Sequence, residues 1–135
     1  MKLSENFTTD EFVCKCGCDT VRVDLRIVDA LEKLRAAISD IPIEVLSGYR
    51  CPTHNKAVGG VENSPHKRGM AADIRVFGMP AVDLYRKARD LGIFTGIGLS
   101  VEGNYVHVDV MDRPVPLVCW GYKNHQIVPI TEVLA

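Results

Sequence analysis

Asp73 is the residue that most restricts how this chain can fold. It interrupts MAADIRV (Met70–Val76), a run whose other residues suit a packed β-strand. A carboxylate buried there without a partner would be strongly destabilising. Its charge must be met by Arg50, by Arg68 or by a metal ion. Period-two alternation puts Met70, Ala72, Ile74 and Val76 on one face of the run and Ala71, Asp73 and Arg75 on the other.

A second segment sharpens the constraint. In YVHVDV (Tyr105–Val110) the three valines share one face, and Tyr105, His107 and Asp109 share the opposite one. The valine face belongs to a core; the other face is either solvent or a site. If the two strands lie in one sheet, His107 can approach Asp73. His66 stands seven residues before Asp73 in a Ser/Pro/Gly loop that can fold over the strand. Two imidazoles and one carboxylate make the open ligand set expected of catalytic zinc, a borderline-soft ion that accepts nitrogen and oxygen together. Each histidine also has a plainer reading, His66 as a solvated loop residue and His107 as a hydrogen-bonded partner of Asp109. Gly96 and Gly98 alternate in TGIGLS, which leaves an uncluttered floor for a ligand.

Around these segments the pattern predicts a helical turn near Thr8–Phe12 and a helix over Asp24–Ile38 with Leu25, Val28, Leu31, Leu34 and Ile38 on its apolar face. A strand follows at Ile43–Ser47, then a long loop over 51–69 with one helical turn near His54–Val58. A second helix runs through MPAVDLYRKARDLG, with Pro80 in its first turn and Gly92 as its stop. Thr95–Ser100 and Tyr105–Val110 form a hairpin in which Gly103 is available for positive φ. Beyond Trp120 the pattern offers only a short edge strand at HQIVPI, its pairing limited by Pro129. The expectation is one α+β domain over residues 1–135, a mainly antiparallel sheet with helices packed on one face.

A net charge of −1 gives no broad basic field for nucleic acid, and no stretch approaches the roughly 18–20 apolar residues of a membrane span. The start, MKLSENFTTDEF, lacks the apolar region of a secretory signal, so cytoplasmic synthesis and a monomer are expected. The five cysteines, an odd count, argue against a secreted disulfide framework. In CKCGC the ligand spacing is tighter than the two to four residues common in zinc sites. The run is therefore read as a reduced turn or redox-labile cluster, in preference to a second, structural zinc bound by Cys14, Cys16, Cys18 and Cys51.

SGYRCPTHNKAVGGVENSPHKRGMAADI followed by YVHVDV resembles the zinc D-alanyl-D-alanine carboxypeptidase superfamily. That group includes D-Ala-D-Ala dipeptidases, L-alanyl-D-glutamate endopeptidases and the hedgehog-like metal fold. SGYR, N-x-x-VGG, S-x-H-x-x-G-x-A-x-D and V-H-V-D occur in order over roughly residues 10 to 120, as in the short phage-type branch. The resemblance implies one catalytic Zn²⁺ held by His66, Asp73 and His107, with peptidoglycan peptides as substrate. Carried over by position, Arg50 would hold a substrate carbonyl or carboxylate; a salt bridge to Asp73 or Glu44 is its structural alternative. Ser64 would bind substrate or shape its loop. Larger members carry an acid three residues before the last histidine, where this chain has Asn104. The general base is then Asp109 in preference to Glu102, unless Asp109 only orients His107. The implied activity is zinc-assisted hydrolysis of cell-wall peptide bonds, reached through a holin or a phage particle. The missing acid leaves a zinc-stabilised module that binds cell wall or protein as the alternative.

Overall fold

In the computed structural model, which describes residues 1–134, a 3-10 turn at Thr9–Glu11 precedes α1 (Leu25–Ala37), β1 (Ile43–Ser47) and α2 (Pro52–Ala57). A second 3-10 turn (Pro65–Arg68) leads into β2 (Ala71–Val76) and α3 (Ala81–Leu91). Then come β3 (Gly96–Ser100), β4 (Tyr105–Asp109), β5 (Val118–Lys123), β6 (Gln126–Pro129) and α4 (Thr131–Leu134). The strands form one sheet in the order β1-β2-β4-β3-β5-β6, antiparallel throughout except between β3 and β5. The architecture is α+β, as the alternation of patterns predicts.

Local chemistry sets the element ends. The Asp24 side chain accepts from Arg26 N and caps α1. Gly92, at φ 71°, supplies the left-handed residue that stops α3. On the core face Ala72, Ile74, Val106 and Val108 are fully buried together with Leu31 and Leu34 of α1 and Ala88 of α3. α3 packs across β2, β3 and β4, and α1 packs against α3. The second 3-10 turn closes over β2 from the opposite side. Among the described residues no helix is long and apolar enough to cross a membrane.

Several expectations need correction. Leu25 is 63% exposed, and Ile27, at 0%, takes its place in the core, because Leu25 is the first residue after the Asp24 cap and its side chain turns outward. In the β3–β4 hairpin it is Asn104, at φ 52°, that adopts the left-handed conformation rather than Gly103, whose N–H is held by Ser100 Oγ at 3.0 Å. β5 forms where no strand is expected. Its Trp120 pairs with Gly98 of β3, so Gly98 is no open floor: a Cβ there would meet Trp120 Nε1 at 2.5 Å. Gly96 likewise lies under Asp109 and Arg113. CKCGC lies beside Cys51, with all four cysteines free.

Candidate metal centre

Strand register makes the centre. Asp73 of β2 pairs directly with His107 of β4, which pairs on its other side with Gly98 of β3. Both side chains therefore project from the same face of adjacent strands. His66 arrives from the second 3-10 turn, which Ser64 caps by accepting from His66 N at 3.2 Å. His66 Nε2 lies 3.1 Å from Asp73 Oδ1, and His107 Nδ1 lies 3.2 Å from each of those atoms.

The outer contacts decide what the inner atoms are. His66 Nδ1 stands 2.7 Å from the carbonyl oxygen of Gly48, which can only accept, so Nδ1 carries the proton. His107 Nε2 stands 2.7 Å from Asp109 Oδ2, a carboxylate held by Arg113, so Nε2 carries the proton there. Neutral imidazoles in these tautomers turn two bare nitrogen lone pairs toward each other and toward Asp73 Oδ1. In these tautomers three acceptors converge, an arrangement that a bound cation would satisfy. Spacing agrees: donors about 2.1 Å from a tetrahedral ion stand about 3.4 Å apart, and an N₂O set suits zinc better than calcium or magnesium.

Without a metal ion a proton takes the cation's place: burial alone would lower His107, but hydrogen bonds with Asp109 and Asp73 raise it to about 9. Burial alone would raise Asp73, yet the charge of His66 and hydrogen bonds from both histidines hold it far below the ordinary carboxylate range. The pocket between the three side chains favours positive charge.

Arg50 meets the other oxygen of the awkward acid. Its Nη2 donates to Asp73 Oδ2 at 3.0 Å, while Nε donates to Ser47 Oγ at 3.1 Å and Nη1 to Asn55 Oδ1 at 3.2 Å. The salt-bridge reading of Arg50 thus describes its contacts, with Asp73 as partner; Glu44 pairs instead with Arg75 at 2.7 Å. Ser64 shapes the His66 loop. Asp109 reaches the centre, but from behind. It has no exposed surface, and its carboxylate is filled by His107 Nε2, Arg113, Thr95 Oγ1 and Met111 N on the far side of the imidazole from Nδ1. Glu102 is not brought to the three ligating atoms: it sits exposed in the hairpin and accepts from Asn124 N at 2.6 Å.

Sequence reasoning overlooked several contributors. Gly48 offers its carbonyl to His66, and a Cβ on it would lie 2.7 Å from Phe12 Cα, so only glycine fits. Asn55 is buried, donates to Val61 O at 2.8 Å and props Arg50. Both lie inside the quoted motifs, which was the available signal. Arg113 and Trp120 carried none. Trp120 rests its ring against His107 at a centroid distance of 5.2 Å, and Arg113 clamps Asp109.

An α+β sheet domain whose polar face gathers such a triad offers a site that could hold a divalent metal ion. Residues 5–109 match the profile described as Peptidase M15, and the chain belongs to that family. It is 36% identical over 80 residues to the zinc D-Ala-D-Ala carboxypeptidase of Streptomyces albus G, a match covering 59% of this chain and 31% of that protein. It is also 35% identical over 72 residues to the probable peptidoglycan L,D-endopeptidase MepK of Haemophilus influenzae, covering 50% of this chain and 38% of that protein. The chain therefore spans about a third of the length of these curated relatives.

Proposed function

We propose that the protein is a zinc-dependent peptidase that hydrolyses peptide bonds in bacterial cell-wall peptides, of the D-Ala-D-Ala carboxypeptidase or endopeptidase type. The observation that carries this reading is the convergence of three potential ligand atoms, His66 Nε2, His107 Nδ1 and Asp73 Oδ1, at one point. Family membership and the names of the two relatives support the substrate class. His66, Asp73 and His107 would hold the ion. When bound, zinc supplies Lewis acidity and makes hydrolysis feasible at neutral pH.

The remaining residues prepare the site. Asp109 holds His107 in the tautomer that faces Nδ1 inward, and Arg113 keeps Asp109 ionised: burial would raise that carboxyl, but hydrogen bonds from His107 and Arg113 hold it down at about 2. Arg50 directs three of its five N–H groups at Ser47, Asn55 and Asp73, and the others remain for a substrate carbonyl or terminal carboxylate. With Asp109 enclosed, Glu102 is the remaining acid considered for proton acceptor, and it would have to leave Asn124 N and move toward the three ligating atoms to serve. A phage-encoded lytic role is the finer reading of the same motif order, and turbidity loss of permeabilised cells is its readout.

Muropeptides released from purified sacculi, identified by mass spectrometry with and without a chelator, test the reading. Chelator-sensitive release of peptide fragments is expected; release indifferent to the chelator counts against it. Glu102→Gln should retain metal and lower the rate by about 10²–10⁴-fold. The enclosure of Asp109 and the placement of Glu102 away from the ligating atoms favour a second reading, a zinc-stabilised module that binds cell wall or protein. No release by a metal-loaded protein that still binds sacculi would establish it.

A further inference from the structure

We propose that Cys14, Cys16, Cys18 and Cys51 form a second metal site, a structural zinc that staples the N-terminal segment to the wall of the candidate active site. One sulfur from each can lie within 4.8 Å of all the others. Cys51 is 35 residues from Cys16, so the gathering is tertiary and not an accident of the CKCGC run.

The spacings are those of ligands. Cys14 and Cys16 sulfurs stand 3.5 Å apart, and those of Cys16 and Cys51 stand 3.7 Å apart. A disulfide would hold its pair at about 2.05 Å. Four thiolates about 2.3 Å from a tetrahedral zinc stand about 3.8 Å from one another. Backbone N–H groups are aimed at the sulfurs as well, Cys51 N at Cys14 Sγ and His54 N at Cys51 Sγ, each at 3.4 Å, which favours the thiolate form a metal needs.

Apolar packing does not account for the cluster. Cys16 and Cys18 are exposed, and residues 12–24 form neither helix nor strand; beyond the buried Phe12, that segment is tied down mainly by single backbone bonds such as Cys14 N to Thr20 O and Asp24 N to Gly69 O. Cys119, the fifth cysteine, lies outside the group. Four sulfur donors complete a tetrahedral shell and leave no position for substrate, which makes the role structural.

The location gives the staple a purpose. Cys51 caps α2 and follows Arg50 directly, and α2 carries Asn55, which props the Arg50 guanidinium against Asp73. Fixing Cys51 fixes the backbone from which Arg50 reaches. This site stands independently of the peptidase reading, since its ligands and its test are separate.

The full chain, purified under reducing conditions, should contain two zinc ions per molecule. His66→Ala should retain one, and Cys16→Ser/Cys18→Ser should retain one. Replacing the metal with cobalt(II) should give the near-ultraviolet sulfur-to-cobalt absorption in the wild type and in His66→Ala, and none in the cysteine variant. Should the cysteine variant fail to fold, His66→Ala decides alone, by one bound metal with the sulfur signature. The proposal is overturned if His66→Ala holds no zinc, if iron occupies the cluster, or if the intact mass falls by the hydrogens of a disulfide.

Discussion

Strands β2 and β4 carry an apolar face and a polar face that are enclosed for opposite reasons. On one face Ile74, Val106 and Val108 are fully enclosed beneath α3, and each aliphatic side chain contributes about 1.5–3 kcal/mol by leaving water. On the other face His107 and Asp109 are buried and Asp73 half-buried, all held by polar partners: Arg50, His66 and Arg113. Burying such groups contributes little net stability even when every one is matched, and removing a single partner is costly. One face of the same two strands maintains the fold. The other spends that stability on a fixed constellation of donors and acceptors.

The sharpest way to break this contrast is His66→Ala. It removes one of three converging ligands while leaving the valine face untouched. Metal content should fall to the level of the remaining sites, and hydrolysis should drop by more than the roughly 10–100-fold typical of losing an outer partner. Elemental analysis paired with muropeptide release checks it; normal turnover in this variant would end the peptidase reading.

Asp109→Asn comes next. The amide can still accept from His107 Nε2, but it no longer offers the ionised partner that fixes the tautomer, and Arg113 loses its counter-charge. Metal affinity and rate should fall together by about 10–100-fold, measured by competition with a chelator. Unchanged affinity beside a rate loss of several orders of magnitude would instead return the base role to Asp109.

The two faces also differed in how far they could be read from residues alone. Alternation in MAADIRV and YVHVDV separates them outright, because a strand's period is a local property. It also puts Asp73 and His107 on one side, and the β2–β4 register then makes them neighbours. Ile43–Ser47 is legible for the same reason. What stayed hidden depends on which segments meet through space. Trp120 covers Gly98 only because β5 returns parallel to β3, and Arg113 clamps Asp109 only because the irregular chain between β4 and β5 folds back. No local period marks either event. Cys51 reaches the CKCGC turn by the same kind of long-range approach, which spacing within the run cannot reveal.

Val108→Ala probes the apolar side of the contrast. It deletes two methyl groups from a site with no exposed surface, on the residue next to His107. Urea denaturation should show a loss of about 1–3 kcal/mol, while the folded protein keeps its metal. Loss of metal from the folded variant would mean that the faces are mechanically coupled and that β4 cannot repack on one side without moving His107.

The smallest effect is expected at Leu25, where helical periodicity and the structure disagree. Periodicity groups Leu25 with Val28 and Leu31, yet it is 63% exposed at the first position of α1, whereas Ile27 beside it is completely enclosed. A first-turn side chain has no preceding turn to lie over, and the chain enters α1 through Asp24, whose own carboxylate is occupied with Arg26 N. Leu25→Ala should therefore alter stability by no more than about 0.5 kcal/mol. Ile27→Ala should cost about 2–5 kcal/mol. Equal losses in the two variants would show that α1 sits about a quarter-turn from its described orientation, and the apolar face under β2 and β4 would need to be redrawn with it.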